Sequence, residues 1–273
     1  GFFDLDERYR ALSESGDPLE RLAAVVDFEM FRPELDATLA RSDRAQGGRP
    51  PMDAVMMFKV LVLQALHGLA DERTGFQIRD RLNFMRFLGL DLHGRVPDAR
   101  TIRLFRDQLS KAGAVERLFK RVDAHLRDGG YLAMGAMGGQ MIDASIVEAP
   151  RQRNTDGEKD DLKAGRIPEA WPAKPAKLGQ KDRDGRWTLK RGRKKPRPAG
   201  SLSMQIAVPV YGYKSHIGAD RRHRLIRTRT VPDAAEYDGR ELPALPDRSN
   251  TASAVWADTA CRSQKNETRI AAA

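Results

Sequence analysis

The chain has 273 residues, length enough for about two domains at ~150 residues each. Hydrophobic residues make up 40% and charged residues 32%, which excludes a wholly disordered chain. Lys plus Arg number 48 against 38 Asp plus Glu, a surplus that favours a polyanionic partner, and the single cysteine, Cys261, excludes an internal disulfide or a cysteine zinc cage.

Residues 1–130 predict a helical domain. The start, from Gly1 to Glu7, has neither a basic region nor an apolar run, so it does not read as a signal peptide. Asp17, Pro18 and Glu20 form a helix start: a capping acceptor, a proline at the first helical position and an acid at the third. Leu19, Leu22, Val26 and Met30 then recur at helical spacing. A second helix opens near Pro51 and Asp53. Its apolar stretch, Ala54 to Leu66, is interrupted by Lys59 and Gln64 and is shorter than the ~20 residues of a membrane span. These features favour a soluble, cytoplasmic protein with no membrane partner. A third helix covers Asp71 to Leu82. A fourth opens at Asp98, with Ile102, Phe105 and Leu109 on one face, and ends at Gly113. A fifth follows from Ala114 to Arg127. The third and fourth helices read either as a helix-turn-helix presenting Arg100, Arg103 and Arg106 to DNA, or as an ordinary bundle with wet arginines.

At Gly138-Gly139 the period changes from helix to strand. Gln140 to Ala149 alternates as a strand, ended by Pro150. Gln205 to Tyr213 and Leu225 to Val231 are two more, joined by a hairpin at Asp220 to His223. Asp233 to Leu245 is a helical crossover compromised by Pro243. Ser253 to Ala257 is a fourth strand running into Asp258, with a last helix from Ser263. This order implies a mixed α/β sheet over 139–273.

Between the first two strands lies a basic insertion, about 151–203. From Arg151 to Thr230 there are 22 Lys and Arg against 8 Asp and Glu, while the remainder holds 26 against 30, so the basic character belongs to one segment. Its prolines and glycines predict loops. Lys190, Arg191, Arg193, Lys194, Lys195 and Arg197 beside Trp187 form a cluster suited to phosphates. The alternative is a solvated linker.

Asp143 sits in an otherwise apolar strand, where a buried carboxylate needs a cation or hydrogen bonds, and Asp258 closes another strand where α/β sheets bind ligands. Neighbouring strands are ~4.8 Å apart, close enough for two aspartates to share a hard cation such as Mg²⁺ or Mn²⁺. Spacing alone leaves open that Asp143 is a structural hydrogen bonder and Asp258 a helix cap. His216 and His223 flank the hairpin and read as surface residues.

Several blocks, in order along the chain, resemble bacterial insertion-sequence transposases of the Asp-Asp-Glu class, in the insertion-sequence-five branch. They are Gly48 to Pro51, Arg79 to Leu90, Val96 to Thr101, Gly139 to Ala149 around Asp143, Tyr211 to His216 with Asp220 to Arg227, and Val255 to Ser263 around Asp258. The resemblance implies a helical N-terminal domain (1–130) for binding DNA ends, then a ribonuclease-H-like catalytic domain (139–273), incomplete at the C-terminus. It implies metal-dependent cleavage at the element's terminal inverted repeats and strand transfer to target DNA by a nucleoid-associated homo-oligomer. Asp143 and Asp258 match the two metal-binding catalytic aspartates, and Lys214 and Arg262 join the basic cluster as DNA contacts. Two departures stand out. The family's third acid, a glutamate, lies well beyond the second aspartate, whereas Glu267 is the only acid after Asp258 here and falls in the wrong block. Cys261 replaces a usual tyrosine. The expectation is therefore a transposase lacking its catalytic C-terminal segment, or alternatively a non-catalytic DNA-binding remnant that inhibits full-length enzyme. A third reading, an RNA-associated protein, lacks aromatic stacking platforms beyond Trp171 and Trp187.

Overall fold

A computed structural model describes residues 4–39, 50–130, 138–191, 207–247 and 254–271. The chain divides into two compact units, Gly1–Leu132 and Ala133–Ala273.

The first unit is helical: α1 (Asp4–Glu14), α2 (Pro18–Val25), a 3₁₀ turn (Phe28–Phe31), α3 (Arg32–Thr38), α4 (Ala54–His67), α5 (Asp71–Asp80), α6 (Leu82–Leu88), α7 (Ala99–Lys111) and α8 (Ala114–Asp128). Three aspartates begin helices as expected. Asp17 accepts from Leu19 N at 3.0 Å, Asp53 from Met56 N at 2.9 Å and Asp98 from Thr101 N at 2.7 Å, each satisfying an amide that the first helical turn leaves unpaired. Gly113 (φ 61°) makes the left-handed break between α7 and α8. The apolar faces meet in one core around Leu35, Leu63, Ile78, Phe84 and Ile102, all fully buried. Burial at this level contributes ~1.5–3 kcal/mol per side chain. Where one helix was expected from Asp71 to Leu82, the chain turns extended at Arg81 and starts α6. Neither α1 nor α3 is signalled by the apolar pattern.

The second unit holds a five-stranded mixed sheet of β1 (Gln140–Glu148), β2 (Arg186–Arg191), β3 (Ala207–Asp220), β4 (Ile226–Thr230) and β5 (Val255–Ala257). β3 pairs antiparallel with β1, β2 and β4, while β5 lies parallel to β1. The β3–β4 hairpin closes over Asp220, fully buried, whose carboxylate accepts from His223 N and from Leu225 N at 2.9 Å. The crossover to β5 is shorter than the expected helix: α11 (Asp238–Glu241) gives way to a 3₁₀ turn at Leu242–Ala244, where Pro243 interrupts the helix. Ile142, Leu242, Leu245 and Cys261 pack together beneath the sheet, with Val255 and Ile270 of the terminal helix α12 (Gln264–Ala271) against them.

The largest difference from expectation is the basic insertion. Much of it is ordered structure rather than loop: α9 (Asp156–Lys163), α10 (Pro175–Gln180) and the strand β2. Trp171 organises it. Its side chain is 0% exposed, its Nε1 donates to Glu158 Oε1 at 2.6 Å, and Lys177 and Lys181 lie over its ring. Glu158 also closes a reciprocal cap with Thr155 and pairs with Lys177 at 3.1 Å. Composition predicted loop because the chain is locally polar; a single buried indole with a charged partner supplies the missing core.

Candidate functional site

The parallel ladder between β1 and β5 pairs Gln140 with Val255, Met141 with Trp256 and Ile142 with Ala257. One residue past the last rung of this ladder stand Asp143, within β1, and Asp258, just beyond the end of β5. Because the sheet alternates faces, Ile142 turns into the core while Asp143 is exposed, and Asp258 is exposed as well. The expectation of a buried Asp143 is corrected on this point: its carboxylate faces solvent. Asp143 Oδ1 accepts from Ala144 N at 2.9 Å. Asp258 Oδ1 accepts from Thr259 N at 2.6 Å and from Thr259 Oγ1 at 3.1 Å, capping a short 3₁₀ turn. The other carboxylate oxygen of each aspartate has no hydrogen-bond partner among the described residues.

Near the pair, Asp238 gathers Lys214 and His216 into a charged group whose assembly sequence reasoning did not find. Asp238, on α11, accepts from Lys214 Nζ at 2.9 Å and stands 3.8 Å from His216 Nε2. His216 is 1% exposed, which corrects its reading as a surface residue; burial pushes its pKa down against the pull of Asp238 and Glu241. The buried Cys261 thiol is pushed up by burial first, then by Asp238, Asp258 and Asp143. Asp238 and His216 are 22 residues apart in the chain and brought together by the β3–α11 packing, so no local motif announces them.

The expected DNA contacts divide. Lys190 is exposed on β2, and Arg191 ends that strand opposite Ala207. Arg193, Lys194, Lys195 and Arg197 lie outside the described residues. Arg262 is exposed and pairs with Glu267 at 2.7 Å. Lys214 is engaged internally, by Asp238 and by the Glu236 carbonyl at 2.6 Å. In the first unit, Arg106 is bound to Asp71 and donates to Gln64 Oε1 at 3.0 Å, clamping α7 to α5, whereas Arg100 and Arg103 are exposed.

Residues 7–108 match the family model described as a transposase domain (DUF772). The match supports a transposase family for this chain. No solved structure matches it. The matched segment runs from within α1 to most of α7, and its internal ties are visible in the side chains. Arg86 of α6 reaches Asp17 Oδ2 at 2.6 Å, Glu20 Oε2 at 3.2 Å, Ser13 Oγ at 2.9 Å and the Tyr9 carbonyl at 3.1 Å, joining three helices of the domain. Among the described residues no single helix is long and apolar enough to cross a membrane.

Proposed function

We propose that the chain is a DNA transposase of the Asp-Asp-Glu class, with Asp143 and Asp258 as its metal-binding aspartates. The observation that carries the reading is the register of β1 and β5, which places two exposed aspartates one step past the last rung of the parallel ladder. The transposase-domain match in residues 7–108 supports DNA as the substrate class.

The donor set fits Mg²⁺ or Mn²⁺: hard carboxylate oxygens, open to solvent, with no cation among the described residues bonded to either. Such an ion, when bound, supplies Lewis-acid polarisation of a phosphodiester and a more acidic water. The chain's own part is positional. Backbone amides of Ala144 and Thr259 hold one oxygen of each carboxylate and aim the other outward. The exposed cations Lys190 and Arg262 give a polyanion purchase near the sheet; the Arg262–Glu267 pair is exposed on both sides and is readily exchanged for phosphate. The partners of this reading are the element's ends and target DNA, with a homo-oligomer as the working form.

A second reading, a DNA-binding protein without cleavage, is favoured by one observation. Among the described residues no group of three or more His, Cys, Asp or Glu is arranged to hold a metal. Glu267 is turned to Arg262, and Asp238 is neutralised by Lys214.

Calorimetry of Mn²⁺ binding to the full chain and to Asp143→Asn separates the two. Saturable binding lost in the variant supports the metal-site reading. Absence of binding in both, with salt-sensitive DNA affinity intact, supports the second; absence of DNA affinity overturns both.

A further inference from the structure

The folded insertion forms a half-open cavity that the proposed cleavage site does not use. It lies in the second unit between α9 and the paired strands β2 and β3, has a volume of about 130 Å³, and is lined by Gln152, Lys159, Leu162, Lys163, Trp187 and Tyr211 among others. That volume is close to the ~150 Å³ that holds one benzene ring.

Its lining is unusual in three independent ways. Trp187 is 50% exposed on a sheet strand, with Tyr211 tilted against it at a ring separation of 5.5 Å and Arg151 over the indole at 5.7 Å. An indole left half in water costs the fold apolar burial, so its exposed part is surface available to a flat partner. Gln152 Oε1 is buried with no hydrogen-bond partner among the described residues, although buried acceptors are ordinarily satisfied. The rim is cationic: Lys159 and Lys163 sit one helical turn apart on α9, and their acidic partners, Asp156 and Asp160, are exposed pairs of little strength. A flat aromatic wall, an unsatisfied amide at its side and ammonium groups at its mouth match one ligand chemistry: an unstacked nucleobase with its flanking phosphates.

We infer that this cavity takes a single unstacked base of DNA, stacked on Trp187, bonded at its edge by the Gln152 carboxamide, with its phosphates at Lys159 and Lys163. An aromatic wall accepts every base, so the site discriminates stacked from unstacked DNA more than one sequence from another. The inference rests on the DNA-binding half of the proposed function and is independent of the aspartates. Two sources supply such a base, a single strand or a base displaced from a duplex.

The test is fluorescence anisotropy of the full chain with three labelled probes at one salt concentration. These are a paired duplex, the same duplex with one extra unpaired thymine, and the single strand alone. The expected result is tighter binding to the bulged duplex than to the paired one. Trp187→Ala lowers affinity for the bulged probe about five- to a hundredfold, the range expected for one lost base stack. Trp187→Phe, which keeps a ring on the strand, recovers most of it. Gln152→Leu weakens the bulged probe as well. Single-strand affinity equal to that of the bulged probe identifies strand ends as the source; affinity for the bulge alone identifies a displaced base. Equal binding of paired, bulged and single-stranded probes, unchanged by Trp187→Ala, overturns the inference and leaves DNA binding standing. Failure to bind any probe overturns both. If Trp187→Ala melts early, the Phe and Gln152→Leu variants carry the comparison.

Discussion

Asp143 in β1 and Asp258 just past β5 each follow the last rung of one parallel ladder, Ile142 with Ala257, 115 positions apart in sequence. Their placement is a property of the β1–β5 ladder. It separates two roles within Asp258, which both caps a turn and offers an outward oxygen. Asp258→Asn keeps a good capping side chain, so its melting temperature should stay near wild type while metal binding falls at least tenfold. Asp258→Ala should lose the metal and also ~0.5–2 kcal/mol of stability with the cap. Thermal melts beside Mn²⁺ titrations read the two effects apart; equal melts for both variants would argue against the cap.

Gly139 stands directly before β1 with φ 114°, and a Cβ there would lie 1.9 Å from Trp256. Trp256 is the middle residue of the three-residue strand that delivers Asp258. Gly139→Ala is therefore expected to strain the backbone and displace β5, costing ~1–3 kcal/mol. The same variant should weaken Mn²⁺ binding although it touches neither aspartate. Ala at the neighbouring Gly138 (φ 70°), where a Cβ meets nothing, is the control for backbone strain alone.

The Asp17–Arg86 pair ties the helices of the first unit together, with the Asp17 side chain 2% exposed. Burial pushes the Asp17 carboxyl up, but hydrogen bonds from Arg86 and from Leu19 N–H more than reverse it, so it ionises below its ordinary range. A carboxylate depressed in the folded state adds stability that is complete above its unfolded value, ~3.9, and is lost as pH falls through the folded one. Wild type should lose melting temperature on acidification below about pH 4. Asp17→Asn should be less stable at neutral pH, by up to ~3 kcal/mol for a broken, largely buried pair, and should show a flatter acid limb. Parallel acid limbs for the two proteins would refute the assignment.

Glu158 has its carboxyl held down at about 2 by the Trp171 indole, the Thr155 amide and Lys177. The insertion should therefore stay folded through mild acid. Trp171→Ala removes the fully buried side chain at its centre and should cost ~3–5 kcal/mol, locally rather than globally. Hydrogen exchange is the measurement: protection should disappear across α9 and α10 while the helices of the first unit keep theirs.

Much of the architecture is carried by local signals. Asp17, Asp53 and Asp98 start helices because a short acceptor before an apolar face satisfies amides that have no other partner. The strand around Asp143 is legible from its β-branched alternation, and the two aspartates stand out because acids are rare in such strands. Three things were decided only by tertiary structure. The β1–β5 register sets both aspartates one step past the same rung, since no local rule links positions so far apart. The folding of Asp238 against Lys214 and His216 turned an expected DNA contact and a surface histidine into internal partners, because the crossover returns α11 onto β3. The basic insertion became structure because Trp171 finds Glu158 across a turn of chain whose composition, taken alone, predicts loop. Periodicity and capping act over a few residues and are written in the sequence; which distant carboxylates meet, and which cations remain free, depends on how the sheet closes.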